Sequence, residues 1–135
     1  MRDPSSDIRG AIYKMLNDAS INTTPNIAVD AVKPVVHIAT IDNADNSAKL
    51  DCYGAENAVL IEVLQDFSNG LGNWYSVEDL CGDVTELLTE NKILTLSNDT
   101  ILFELIGTTS IPEDLKNGAL RLRKALRFRV LTYQL

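Results

Sequence analysis

The residues able to do covalent or acid–base chemistry are few and scattered. The one histidine, His37, sits inside the apolar run Val35-Val36-His37-Ile38-Ala39-Thr40-Ile41. Nucleophilic catalysis by serine or cysteine needs a neighbouring base, usually histidine. A lone histidine in an apolar strand is more often a hydrogen-bonded structural residue than a catalyst. Cys52 and Cys81 are 29 positions apart, with no C-x-x-C spacing and no histidine partner. Neither a zinc site nor a disulfide framework is expected, and one or both read as small buried apolar residues. Gly70-Leu71-Gly72 lacks the third glycine of a dinucleotide fingerprint and the Gly-Lys-Ser/Thr of a P-loop, and so reads as a loop between strand and helix. Asp42, Asp45 and Asp51 do not form a calcium loop with its closing glutamate. Nineteen acids leave room for a hydrolytic carboxylate pair, but nothing in their spacing singles one out. No catalytic residue, cofactor or metal ligand is therefore assigned.

The chemistry that does stand out is electrostatic. The formal charge is −7, yet residues 119–135 carry Arg121, Arg123, Lys124, Arg127 and Arg129 and no acid. The other 118 residues hold seven basic and nineteen acidic side chains, a balance of −12. In an extended segment Arg121, Arg123, Arg127 and Arg129 point to one side while Leu120, Leu122, Leu126, Phe128 and Val130 point to the other. A solvated sheet face is the plain reading of such alternation. The choice of arginine over lysine favours an interface, because the planar guanidinium fork binds carboxylates in bidentate fashion. A second copy of this acidic chain could supply those carboxylates head-to-tail, and contacts of that kind close into rings. A nucleic-acid reading of the same strip predicts steep salt dependence. It is disfavoured by the acidic remainder and by the lack of aromatics among the arginines.

The elements that must position this strip are legible from periodicity. Ile8, Ala11, Ile12, Met15, Leu16 and Ala19 make one helical stripe, capped by Ser5 or Ser6, with Asp7 in the first turn and Asn22-Thr23-Thr24-Pro25 ending it. A short strand is expected over 27–32. Pro34 opens the strand around His37, and a polar loop follows from Asp42 through Asn43, Asp45, Asn46 and Ser47. Residues 56–67 read as a long strand with Val59, Ile61, Val63 and Phe67 on one face, and 68–73 as a loop holding Asn69, Leu71 and Asn73. Val77, Leu80, Cys81, Val84, Leu87 and Leu88 form a second helical stripe. Ser76 with Asp79 resembles a capping box, and Asn91 is expected to close the helix. Strands over 93–96 and 101–109, divided by Ser97-Asn98-Asp99, precede a turn or short helix over 111–118 and the closing strand over 119–133. The fold class is α+β: an antiparallel β-sheet with two main helices packed on one face.

Length and composition bound the rest. At 135 residues, 45% apolar and 23% charged, the chain is one globular domain with enough material for a core. Its longest apolar run, around 58–63, is strand-sized and carries Glu62, so no membrane association is expected. Met1-Arg2-Asp3-Pro4 lacks the apolar region of a signal peptide, which points to a soluble intracellular product.

The order of these segments resembles the tail-terminator or tail-completion (neck ring) proteins of tailed phages. The likeness runs from the first helix through Lys33-Pro34-Val35-Val36-His37-Ile38 and the Asp42-Asn43…Asp45-Asn46-Ser47 loop. It continues in the strand ending Ile61-Glu62-Val63, the second helix, and the closing Ala125-Leu126-Arg127-Phe128-Arg129-Val130. The resemblance implies a non-enzymatic virion subunit, made in the host cytoplasm, that forms a homo-oligomeric ring of six or more copies at the tail end or neck. It implies contacts with tail-tube, stopper or portal-proximal proteins, with DNA passing through the ring without specific binding. On this reading Arg121, Arg123, Arg127 and Arg129 form the subunit interface. Asp42, Asn43, Asp45, Asn46, Asn69, Leu71 and Asn73 belong to partner-docking loops. Two rival expectations stand beside it: a small adaptor that binds an acidic partner through the basic C-terminal strand, and a hydrolase using paired acids.

Overall fold

The structure, a computed structural model, describes residues 5–24, 33–44, 54–67, 72–90, 93–94, 100–115 and 118–133. In chain order the elements are α1 (Ser5–Asp18), β1 (Thr23–Thr24), β2 (Val35–Ala44), β3 (Gly54–Phe67), α2 (Tyr75–Glu90), β4 (Ile93–Leu94), β5 (Thr100–Asp114) and β6 (Leu120–Tyr133). They form a six-stranded sheet in the order β1-β2-β3-β6-β5-β4. Every pair is antiparallel except the two-residue β1, which runs parallel to β2. The α+β class read from periodicity is the observed one.

Both helices bury their apolar stripes on the same face of the sheet. Ile8, Ile12 and Leu16 of α1 and Val77, Cys81, Val84 and Leu88 of α2 meet Val59, Ile61 and Val63 of β3 and Leu122, Leu126, Phe128 and Val130 of β6 in one core. Phe103 of β5 adds an edge-to-face contact to Phe128, with ring centroids 6.0 Å apart and planes at 88°. Burial of these side chains, not helix propensity, is what holds helices of this length in place.

Local devices fix where each helix sits. α1 ends in a Schellman arrangement: Ile21 N–H donates to Leu16 O at 2.9 Å and Ser20 N–H to Asn17 O at 3.0 Å, with Ser20 left-handed at φ 59°. The helix thus stops at Asp18, before Asn22-Thr23-Thr24. It begins at Ser5, which puts Ser6 inside the first turn and not at the cap. The β2–β3 register shifts between Ile38 and Thr40, and Arg9 Nη1 of α1 donates to Ile38 O there at 2.8 Å. A guanidinium on the helix therefore satisfies a carbonyl at a bulge in the strand beneath it.

Three expectations differ from the observed elements. Asp42 and Asn43 lie in β2, paired with Ala58 and Asn57, and are not loop residues. The ladder continues to Ala44↔Glu56 because backbone pairing carries a polar strand end whose side chains have weak β-preference. β5 runs on to Asp114, through the segment read as a turn or short helix. Pro112 is tolerated inside it because β6 is the only described neighbour at that position, leaving β5 an edge where one N–H can be missing. The α2 cap is Asn73, whose Oδ1 accepts from Tyr75 N–H at 3.2 Å, while the Ser76 hydroxyl donates to Gln65 Oε1 of β3. The capping box is not formed, since Ser76 already lies within the helix. The expected strand over 27–32, the cap at Asn91 and the Ser97-Asn98-Asp99 turn lie outside the described residues.

Candidate functional site

The candidate site is the sheet face turned away from the helices. β3, β6 and β5 pair along almost their whole length: Gly54↔Tyr133 through Phe67↔Leu120 on one side of β6, Thr100↔Tyr133 through Asp114↔Leu120 on the other. With a two-residue side-chain period, this register sends Arg121, Arg123, Arg127 and Arg129 to the outer face, as their alternation implies. The same register delivers carboxylates from both flanking strands. Asp66 of β3 and Glu113 of β5 stand opposite Arg121, and Glu104 of β5 stands opposite Arg129.

The four arginines consequently differ. Arg121 is gripped in bidentate fashion, Nε to Asp66 Oδ1 at 2.6 Å and Nη2 to Asp66 Oδ2 at 2.9 Å, with side chains only 10% and 8% exposed. The hydrogen bond that Arg121 donates to Asp66 raises the Arg121 pKa above its ordinary value against the opposing effect of burial, so the guanidinium stays charged. Arg123 bridges two strands, with Nε 3.1 Å from Glu62 Oε2 and Nη2 3.2 Å from Glu113 Oε2. Arg123 Nε and Glu113 Oε2 make no aligned hydrogen bond, so these contacts are coulombic. Arg129 approaches Glu104 at a loose 3.8 Å with its side chain 43% exposed. Arg127 is exposed, opposite Leu60 and Gly107, and forms no ion pair with a described residue. A strip that would repel itself in isolation is thus largely neutralised within the chain, most tightly at Arg121 and least at Arg127.

The remaining site candidates have local explanations or fall elsewhere. His37 Nδ1 lies 3.2 Å from Thr24 O and donates to it, tying β1 to β2. Cys81 is buried in the core as a free thiol, and burial pushes it up to about 11; Cys52 and Asp51 lie outside the described residues. Gly72 packs where an added Cβ would come 2.6 Å from Phe67 Cδ2, so close packing on an aromatic ring accounts for that glycine. Of the docking-loop candidates, Asp42 and Asn43 sit in β2, Asn73 caps α2, and Asp45, Asn46, Asn69 and Leu71 lie outside the described residues. Among the described residues, no group of three or more His, Cys, Asp or Glu side chains could hold a metal ion, and no helix is long and apolar enough to cross a membrane.

Sequence reasoning missed the acids of this face and a cleft on the other side of the molecule. Glu62 and Asp66 share a face at period two, a signal present in the sequence but without meaning until β3 is laid beside β6. The cleft, of about 300 Å³, is lined by Ala19, Ile21, Asp83, Glu86, Leu87 and Glu90, where the C-terminal end of α2 meets the turn that closes α1. No protein-family model matches the chain, and no curated protein sequence matches it. Its fold is similar to that of a chain in a solved structure described as the virion of a native gene transfer agent particle. That match has a TM-score of 0.67 over 96% of this chain and 96% of the other, at 16% sequence identity.

Proposed function

We propose that this chain is a non-enzymatic structural subunit of a phage-like particle, assembling as a ring at the tail end or the head–tail joint. The observation that carries the reading is the fold correspondence with a chain of the gene transfer agent virion over 96% of both chains. Agreement along the entire length supports a shared architecture in which the whole domain, not a grafted site, is the working unit. The segment order that resembles tail-terminator proteins supports the finer placement. The mechanism is geometric: a rigid sheet carries charged faces and an open edge to its neighbours, and segments at the sheet ends meet the tail tube, stopper or portal-proximal proteins.

The outer face favours this reading over an adaptor that binds an acidic partner through the basic strand. Arg121, Arg123 and Arg129 already face carboxylates of their own chain, which leaves Arg127 as the guanidinium most available to another molecule. Native mass spectrometry across protein concentration and salt, with negative-stain images of the same samples, tests the proposal. Closed rings of one stoichiometry are expected. A strict monomer at every concentration and salt would remove the ring and return weight to the adaptor.

A further inference from the structure

α2 carries Glu78, Asp79, Asp83, Glu86 and Glu90 and no basic residue, and all of these acids are exposed. Asp79, Asp83, Glu86 and Glu90 follow i, i+4, i+7 and i+11, so they form one row along the helix. Like charges at that spacing repel, and none of them forms an ion pair with a described residue. The C-terminal end of α2 adds its own partial negative charge, with no basic side chain in the last turn. The row carries an electrostatic cost that the described fold does not offset.

The same row borders an apolar groove. Asp83, Glu86 and Glu90 rim the cleft of about 300 Å³, and Ala19, Ile21 and Leu87 are its apolar lining. Ile21 and Leu87 pack against the core while remaining only partly buried, so the floor is held in place and still open. We propose that this groove docks a basic amphipathic segment of a different protein. An aliphatic side chain of that segment sits on the floor, and its lysines or arginines lie along the acidic row. Charge complementarity argues for this occupant, and the outer face of a second copy does not supply it. There Arg121, Arg123, Arg127 and Arg129 stand among Asp42, Glu62, Asp66, Glu104 and Glu113, which share that face by register. The cleft is at the bottom of the roughly 300–1,000 Å³ range of small-molecule pockets, a size that suits an inserted side chain. The row from Asp79 to Glu90 runs roughly 16 Å, enough for about three turns of a partner helix laid alongside. This inference goes beyond the ring reading and holds whether or not copies of the chain close into a ring.

The test is fluorescence anisotropy with a labelled helical peptide of leucine and lysine, apolar on one face and basic on the other. A lysine–alanine peptide of the same net charge reports charge without the apolar face, and should bind at least about tenfold more weakly. Asp83→Asn with Glu86→Gln and Glu90→Gln should weaken the first peptide by about tenfold or more. Ala19→Trp, which fills the cleft from an exposed position, should do the same. Asp42→Asn with Glu104→Gln and Asp114→Asn removes equal charge elsewhere and should leave binding within about twofold. Equal weakening by the two triple variants, or equal binding of the two peptides, would show general charge attraction and overturn the site. Absence of binding overturns it too. Negative-stain images of the cleft variants keep the two readings apart. Rings that persist while the peptide is lost support the proposal. Rings lost with the cleft charges identify a second copy as the occupant and overturn it. If the parent chain forms no rings, the ring reading falls and the peptide result still decides this one.

Discussion

Arg121 of β6 and Asp66 of β3 are joined by two parallel hydrogen bonds across strands 55 residues apart in sequence, both side chains largely withdrawn from solvent. The pair fastens the ends of the two longest-range partners in the sheet, next to the Phe67↔Leu120 position where β3 ends and β6 begins. Its consequence is an asymmetric sensitivity to substitution. Asp66→Ala removes both of these hydrogen bonds from a guanidinium in a poorly solvated site and should destabilise the fold by about 3 kcal/mol. Replacing both partners with apolar residues, Asp66→Leu with Arg121→Met, should recover most of that loss. Urea denaturation of the two single variants and the double variant, read as a double-mutant cycle, checks this. Equal losses in the single and double variants would sink it.

Cys81 makes stability depend on alkaline pH. Burial in the core raises the thiol from its ordinary 9.0 to about 11, with nearby Lys124 opposing and Glu78 assisting. Above pH 9 the unfolded chain releases a proton that the folded chain retains, so stability present below that point falls as pH rises to about 11. The size of the loss follows the shift, roughly 2–3 kcal/mol. Cys81→Ala adds a constant cavity cost but should flatten this part of the profile. Denaturation midpoints from pH 8 to 11 for both proteins provide the comparison, and parallel profiles would count against the assignment.

Two glycines should respond with opposite sign. Gly82 lies exposed in the middle of α2 with nothing within 4 Å of an added Cβ, so Gly82→Ala should stabilise by roughly 0.5–1 kcal/mol. Gly72→Ala would force its Cβ against the Phe67 ring at 2.6 Å and should destabilise by about 1–3 kcal/mol. Thermal melts of both variants measure the contrast directly.

Ser20 holds a left-handed conformation at the end of α1 that an L side chain adopts only at a cost. Ser20→Gly relieves it and should stabilise the chain by about 1 kcal/mol. A calorimetric scan showing a lower transition temperature than the parent would overturn this account.

How much was legible before the structure follows from how far apart the determining residues lie. The spacing of Ile8, Ile12 and Leu16, and of Val77, Cys81, Val84 and Leu88, identified both helices and their buried faces, because helical periodicity is written within a single segment. The alternation from Leu120 to Val130 likewise placed four arginines on one face. Exact ends were less accessible. Asp42, Asn43 and Pro112 have turn-like chemistry, but their neighbouring strands carry them into the sheet.

What those arginines meet was decided by tertiary structure alone. Nothing local to β6 says that Asp66 will oppose Arg121, that Glu104 will oppose Arg129, or that Arg127 will face only Leu60 and Gly107. Those pairings depend on register between segments far apart in the chain, and a one-residue slip would turn every side chain to the other face. The sequence by itself determined which residues share a face. The folded sheet decided which of these arginines are matched by described carboxylates of the same chain and which one is not, because electrostatic pairing depends on distances that only strand register sets.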